Sequence, residues 1–144
     1  MDTRFSSAIH MLILISEAET PMTSEEIAAS AGTNASYIRK VIGLLKKNGI
    51  IESHQGIRGF RLLICPEKLT LYDVFKAVSE TDQLHIFDLH QNPNDECIVG
   101  RHIRPVLTEI FRDVEEKAEQ ELKNTTLQDC IRTIQIRIER SADP

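Results

Sequence analysis

The sequence predicts a mainly α-helical chain carrying one small β-hairpin, on three observations. Apolar residues recur at three- and four-residue spacing along most of its length, and only residues 50–64 break into two short strand-like runs around glycines. Cap and stop residues fall where the helical runs begin and end. With 144 residues, 41% hydrophobic and 27% charged, the chain can bury the core of one domain, or of one small domain plus an appendage. No apolar run approaches the ~18 residues that cross a bilayer. Ile9–Ile15 contains His10 and lacks a small-residue cleavage site after it, so it does not read as a signal peptide. Cys65, Cys97 and Cys130 fit neither a disulfide framework nor a paired zinc motif. A reduced, cytoplasmic protein with no membrane association is expected.

The elements follow in order. Phe5 to Ala18 carries a helical stripe through Ala8, Ile9, Leu12 and Ile13. Thr23 with Glu26 three residues later is a capping box for a second helix, Ser24–Ala31, which Gly32 stops. After the Thr33-Asn34 turn a third helix runs from about Ser36 to Asn48, apolar at Ile38, Val41, Ile42, Leu44 and Leu45, with Gly49 as its stop. Ile50–Ser53 and Phe60–Ile64 read as paired strands around a glycine-bearing turn. Pro66 opens a linker, and Thr70, with Asp73 at N3, caps an amphipathic helix to Ser79. Residues 81–96 read as a polar loop, with a candidate ordered piece at Leu84–Leu89. The longest periodic run spans about Cys97 to Lys123. Pro105 is comfortable only in a first turn, so this helix should begin near His102 or kink. A last helical segment covers Thr125 to Ile138.

Three helices followed by a hairpin form the plan of a winged helix-turn-helix with a two-stranded β wing, here with a long C-terminal dimerisation helix. The expected organisation is a DNA-binding domain over 1–80, a loop over 81–96 and a helical dimerisation region over 97–144.

Charge supports that plan. The net charge is −5, but the acidity lies in the second half. Residues 33–61 hold six basic side chains (Arg39, Lys40, Lys46, Lys47, Arg58, Arg61) against the single acid Glu52. Because each field is confined to a Debye length of ~10 Å, such a patch attracts phosphate whatever the total charge. A helix with a cationic face fits the ~12 Å major groove, and a glycine-bearing hairpin tip can approach a neighbouring groove. Candidate contacts to double-stranded DNA are Ser24, Thr33, Asn34, Ser36, Tyr37, Arg39 and Lys40, with Gln55, Arg58 and Arg61 in the wing. Arg39 suits guanine, and Ser36 or Tyr37 suits phosphate. Tyr37 also borders the apolar face and reads equally as core; Lys46 and Lys47 read as solvated surface.

The stripe Ile103, Leu107, Ile110, Phe111, Val114 and Leu122 is flanked by charges and belongs to a helix too long for a small domain to cover, which points to a homodimer interface. Cys97 is a candidate redox-sensing thiol: helix amides favour its thiolate, while Asp95 and Glu96 oppose it. His85, Asp88, His90, Asp95, Cys97 and His102 crowd one segment without a rigid metal spacing, so no metal site is expected. Nor is there a catalytic constellation or a phosphate-binding glycine loop, and an enzyme is not expected.

Several segments taken together resemble the Rrf2 family of bacterial winged-helix transcription regulators. They are Arg4-Phe5-Ser6-x-Ala8-Ile9-His10, Thr23-Ser-Glu-Glu-Ile-Ala28, Ser36-Tyr37-Ile38-Arg39-Lys40, Leu44-Leu45-Lys46-Lys47-x-Gly49-Ile50, Leu69-Thr-Leu-Tyr-Asp-Val-Phe-Lys-Ala-Val78, Cys97-Ile-Val-Gly and Thr126-Leu-Gln-Asp129. The resemblance implies a homodimeric DNA-binding repressor or regulator whose long helix sets two recognition helices about one DNA turn apart on a pseudo-palindromic operator. Relatives that sense iron–sulfur status carry three clustered cysteines before the long helix. Only Cys97 stands there here, so an iron–sulfur cluster, or any other cofactor, is not expected. The wing departs as well: Gln55-Gly56-Ile57-Arg58-Gly59-Phe60 lacks the family's Arg at 55, with Arg58 available in its place. A thiol- or metal-responsive switch at Cys97 and His102, and a winged module that binds protein instead of DNA, stand as the alternatives.

Overall fold

A computed structural model describes residues 2–53, 56 and 58–142. Among them the order is α1 (Arg4–Glu17), α2 (Ser24–Ala31), α3 (Ala35–Lys47), β1 (Ile51–Glu52), β2 (Arg61–Leu62), α4 (Leu71–Ser79), α5 (Ile98–Asn124) and α6 (Leu127–Ala142).

Local chemistry sets the helix ends. The Thr23 hydroxyl accepts the Glu26 amide at 3.2 Å, and Gly32 closes α2 with φ +70°. The Glu26 carboxylate goes to Arg58 instead of returning to the cap. The Asn34 side chain accepts the Tyr37 amide at 2.8 Å and so starts α3. Thr70 and Asp73 form the full reciprocal box on α4, and Thr126 and Asp129 exchange the same two bonds at the start of α6.

The wing is shorter than the sequence pattern. Only Ile51↔Leu62 and Glu52↔Arg61 pair, antiparallel, with Leu63 N–H donating to the Ile50 carbonyl just outside. Met22 adds an isolated bridge to Phe60, tying the α1–α2 connection to the hairpin. Gly59 is required there: its φ is +103°, and a Cβ would stand 2.5 Å from the Met22 carbonyl oxygen.

One core joins Met11, Leu12, Ile27, Ile38, Val41, Leu45, Ile51, Leu69, Val74 and Val78. Leu127 and Ile131 of α6 belong to it too. The sequence grouped 97–144 as one helical region. In the structure α6 instead packs back on α1, and the Thr70↔Thr126 bridge fastens its start beside α4. The reason is the four-residue apolar spacing of Leu127 and Ile131, which buries both in that core.

Helix α5 begins at Ile98, earlier than His102, and runs on through Pro105. Proline removes one main-chain bond to the Arg101 carbonyl; Arg101 is exposed, so solvent can satisfy that oxygen.

Residues 81–96 form no helix or strand, but they are fastened as a strap to α5. Glu119 accepts the Leu84 amide at 2.8 Å, and Glu115 accepts the Ile86 amide at 2.5 Å. Both residues are 6% exposed. Burying them is tolerable because strap amides, which lack a ladder of their own, supply the hydrogen bonds. Phe87 lies on Phe111, ring centres 4.9 Å apart.

Candidate nucleic-acid interface

The apolar positions of α3 (Ile38, Val41, Ile42, Leu45) are buried, which turns Asn34, Ser36, Arg39 and Lys40 outward at its N-terminal end. Two adjacent acids in the first turn of α2 gather cations from two other elements. Arg39 Nη1 lies 3.5 Å from Glu25 Oε1, and Arg58 Nη2 from the wing lies 3.1 Å from Glu26 Oε1. The recognition helix and the wing tip thus meet across the start of α2. Sequence reading missed Glu25 as an organiser and gave Glu26 only a capping role. Their adjacency to the helix-turn-helix entry was the available signal.

Lys40 lies toward Asp2 at the head of α1. There Arg4 holds the Asp2 carboxyl below its usual range by hydrogen bonds, and Lys40 adds to the lowering through space. Arg61 is exposed on β2 opposite Glu52. Lys46 Nζ donates to Ser53 Oγ at 2.9 Å, joining α3 to the wing.

Other candidates are placed differently. Ser24 is buried at the start of α2, and Thr33 is half-buried in the turn. Asn34 spends its side-chain oxygen on the cap and leaves its amide group for a ligand. Tyr37 sets its ring against the core, and its hydroxyl is buried with no hydrogen-bond partner among the described residues, so it is not presented to a phosphate. Gln55 lies outside the described residues.

The pairs holding Arg39 and Arg58 are exposed, and such pairs contribute only about 0–1 kcal/mol. A phosphate can therefore compete for both guanidinium groups, each of which carries donors in a fork suited to phosphate or guanine.

On α5 the exposed apolar positions are Val106 (49%), Ile110 (50%) and Val114 (43%), with Ile98 and Val99 before them. Ile103 lies among these, half-buried. The sequence stripe also held Leu107, Phe111 and Leu122, all half-buried; Phe111 is taken by Phe87 of the same chain. Toward the C-terminus α5 turns to α4, with Lys123 Nζ 4.7 Å from the Tyr72 ring centre.

The thiols stand apart: Cys65 follows β2, Cys97 caps α5 and Cys130 lies on α6. Among the described residues no group of three His, Cys, Asp or Glu side chains is placed to hold a metal. Iron–sulfur clusters are held by several cysteines brought together, whereas these three stand on separate elements. Cys97 is exposed, and the amides of Gly100 and Val99 hold its thiol below the usual cysteine range.

A three-helix unit with a paired wing, a polar-tipped third helix and arginines from both brought to one end defines a winged helix-turn-helix regulator. The family model described as an iron-dependent transcriptional regulator, Rrf2, matches residues 1–133. The chain belongs to the Rrf2 family of transcriptional regulators. It is 40% identical to YwnA of Bacillus subtilis, named provisionally as an HTH-type transcriptional regulator, over 91% of this chain and 96% of that protein. A crystal structure described provisionally as a DNA-binding protein is 37% identical, with a TM-score of 0.71 over 89% of this chain and 98% of that one. The cysteine regulator CymR of B. subtilis shares the fold at 16% identity, with a TM-score of 0.68 over 91% of this chain and 94% of its own. No helix of the described residues is long and apolar enough to cross a membrane.

Proposed function

We propose that the protein is a cytoplasmic DNA-binding repressor that acts as a homodimer on a pseudo-palindromic operator, without catalysis and without an iron–sulfur cluster. The observation that carries this reading is the meeting of Arg39 and Arg58, from recognition helix and wing, at the Glu25–Glu26 end of the helix-turn-helix. Arg39, Lys40, Ser36 and the Asn34 amide group face base edges and phosphates. Arg58 and Arg61 hold the adjacent backbone or minor groove. The exposed row Val99, Val106, Ile110 and Val114, with half-buried Ile103 among them, supports two-fold pairing of α5 with a second copy, because each protomer leaves the same apolar strip bare.

A salt titration on operator duplex tests the reading. Log affinity should fall with log salt by about 0.9 for each phosphate contacted. A flat salt response, with binding to a protein partner instead, would make it an interaction module.

Cys97 favours a second reading, a thiol switch, because its exposed sulfur sits at a helix start that lowers its pKa. Operator affinity that differs between oxidised and reduced protein, and no longer differs in Cys97→Ser, supports it; equal affinities reject it.

A further inference from the structure

Between the strap and α5 lies a cleft of about 450 Å³ that the DNA-binding reading leaves unused. Its apolar wall is the Phe87–Phe111 pair with Leu89 beside it. Its volume is in the ordinary range for small-molecule sites, and its mixture of rings with a few polar groups is their usual make-up.

The charges lining the cleft are His85, Asp88, Arg104, Arg112 and Glu115. Four of them are already matched. Glu115 accepts the Ile86 and Phe87 amides, and Asp88 accepts from His85 at 2.7 Å. Arg112 pairs with Glu116 and Glu119 at 3.2 and 3.4 Å. Arg104 is different. It is half-buried and donates one Nη1 bond to the His90 carbonyl, yet among the described residues no carboxylate lies within ion-pair distance of it. A partly desolvated guanidinium with spare donors is a standing demand for an anion, and its planar fork matches a carboxylate.

We propose that this cleft binds a small organic carboxylate with a compact apolar or aromatic body, Arg104 holding the carboxylate and the Phe87–Phe111 wall receiving the body. An occupant bridges strap and helix, so it stabilises the strapped arrangement over any other. Because α5 bears the exposed apolar strip on another side, occupancy biases how α5 is presented to a second copy. That consequence rests on the reading of the chain as a dimeric regulator; the site itself does not.

The test uses the full chain without DNA. Amide and arginine side-chain NMR signals are followed while phenylacetate or isovalerate is added at millimolar concentrations, with phenylacetamide and isovaleramide as neutral counterparts. The expected result is saturable shifts confined to the strap and the Arg104–Phe111 part of α5, with the amides binding about tenfold more weakly. Arg104→Gln should abolish the difference between acid and amide, and Arg104→Lys should restore part of it, with α1–α4 signals unchanged in both. Shifts absent with both acids, equal affinity for acid and amide, or an Arg104→Gln variant that still discriminates would each overturn the site. A separate titration of operator affinity against phenylacetate should show a change that Arg104→Gln abolishes, and an unchanged affinity overturns the regulatory consequence. Protein that binds no duplex at all would overturn the regulator reading and leave the NMR result standing.

Discussion

Helices α3 and α5 are built inside-out with respect to each other. Helix α3 buries Ile38, Val41, Ile42 and Leu45 and turns its cations to solvent. The only buried residues of α5 among those described are acids, Glu115 and Glu119, while Val106, Ile110 and Val114 face outward. The apolar demand of α3 is met within the chain, which frees its polar side for an exchangeable partner. That of α5 is not met, which supports the proposed pairing with a second copy. On the proposed reading one helix reads a ligand and the other builds an assembly.

The difference can be broken most forcefully by deleting one apolar side chain from each helix. Ile38→Ala should cost about 2–5 kcal/mol of folding stability, since it opens a cavity in the core. Ile110→Ala, measured by urea unfolding at concentrations where the chain is monomeric, should stay within about 0.5 kcal/mol. Similar losses at both sites would erase the contrast.

Next in size is the inward side of α5. Glu119→Ala leaves the Leu84 amide without its acceptor, which costs about 1–3 kcal/mol locally. Native-state hydrogen exchange at Leu84 should accelerate while that of Val41 and Leu45 stays unchanged. Protection surviving at Leu84 would show that the strap is held by something other than the carboxylate.

On the outward side of α3, Arg39→Ala should weaken the operator by about 1–3 kcal/mol and relax base preference at one position. Glu26→Gln should act in the opposite direction, raising affinity a few-fold, because it releases Arg58 from a competing anion. Fluorescence anisotropy with matched and scrambled duplexes checks both substitutions.

The smallest effect is one of pH. Hydrogen bonding with Thr126, above all from its amide, holds the Asp129 carboxyl below its ordinary value of 3.8. A depressed folded-state pKa means that this cap stabilises α6 at neutral pH and ceases to as pH falls from about that value through the folded pKa. Amide exchange in the first turn of α6 should therefore quicken with acid over that window. Asp129→Asn should remove the dependence.

What could be read from the sequence was governed by distance along the chain. The caps at Thr23, Thr70 and Gly32 involve residues within a few positions of one another, and they stand where spacing put them. The C-terminal end of α3 followed from Gly49 in the same way, whereas Asn34, read as a turn residue and DNA contact, is the cap that starts the helix. The division of α5 followed only in part. Counting by three and four left its apolar stripe uncovered, and Ile110 and Val114 are exposed as that implies. It did not show the strap, thirty or so residues away from its partners, whose free amides draw Glu115 and Glu119 inward while Phe87 claims Phe111. Tyr37 shows the same limit on a smaller scale, since periodicity put it at the border and only packing against the core decides its side. The Arg39–Glu25 and Arg58–Glu26 meetings also join separate elements, and no local pattern encodes them.

The inside-out pairing of α3 and α5 is tested most directly by sedimentation equilibrium of the wild-type chain beside Ile110→Glu. Twice the 16.4 kDa chain mass is expected for the wild type, and a single chain mass with an unchanged helical circular dichroism spectrum for the variant. A monomeric wild type, or a variant that keeps the doubled mass, would contradict that pairing.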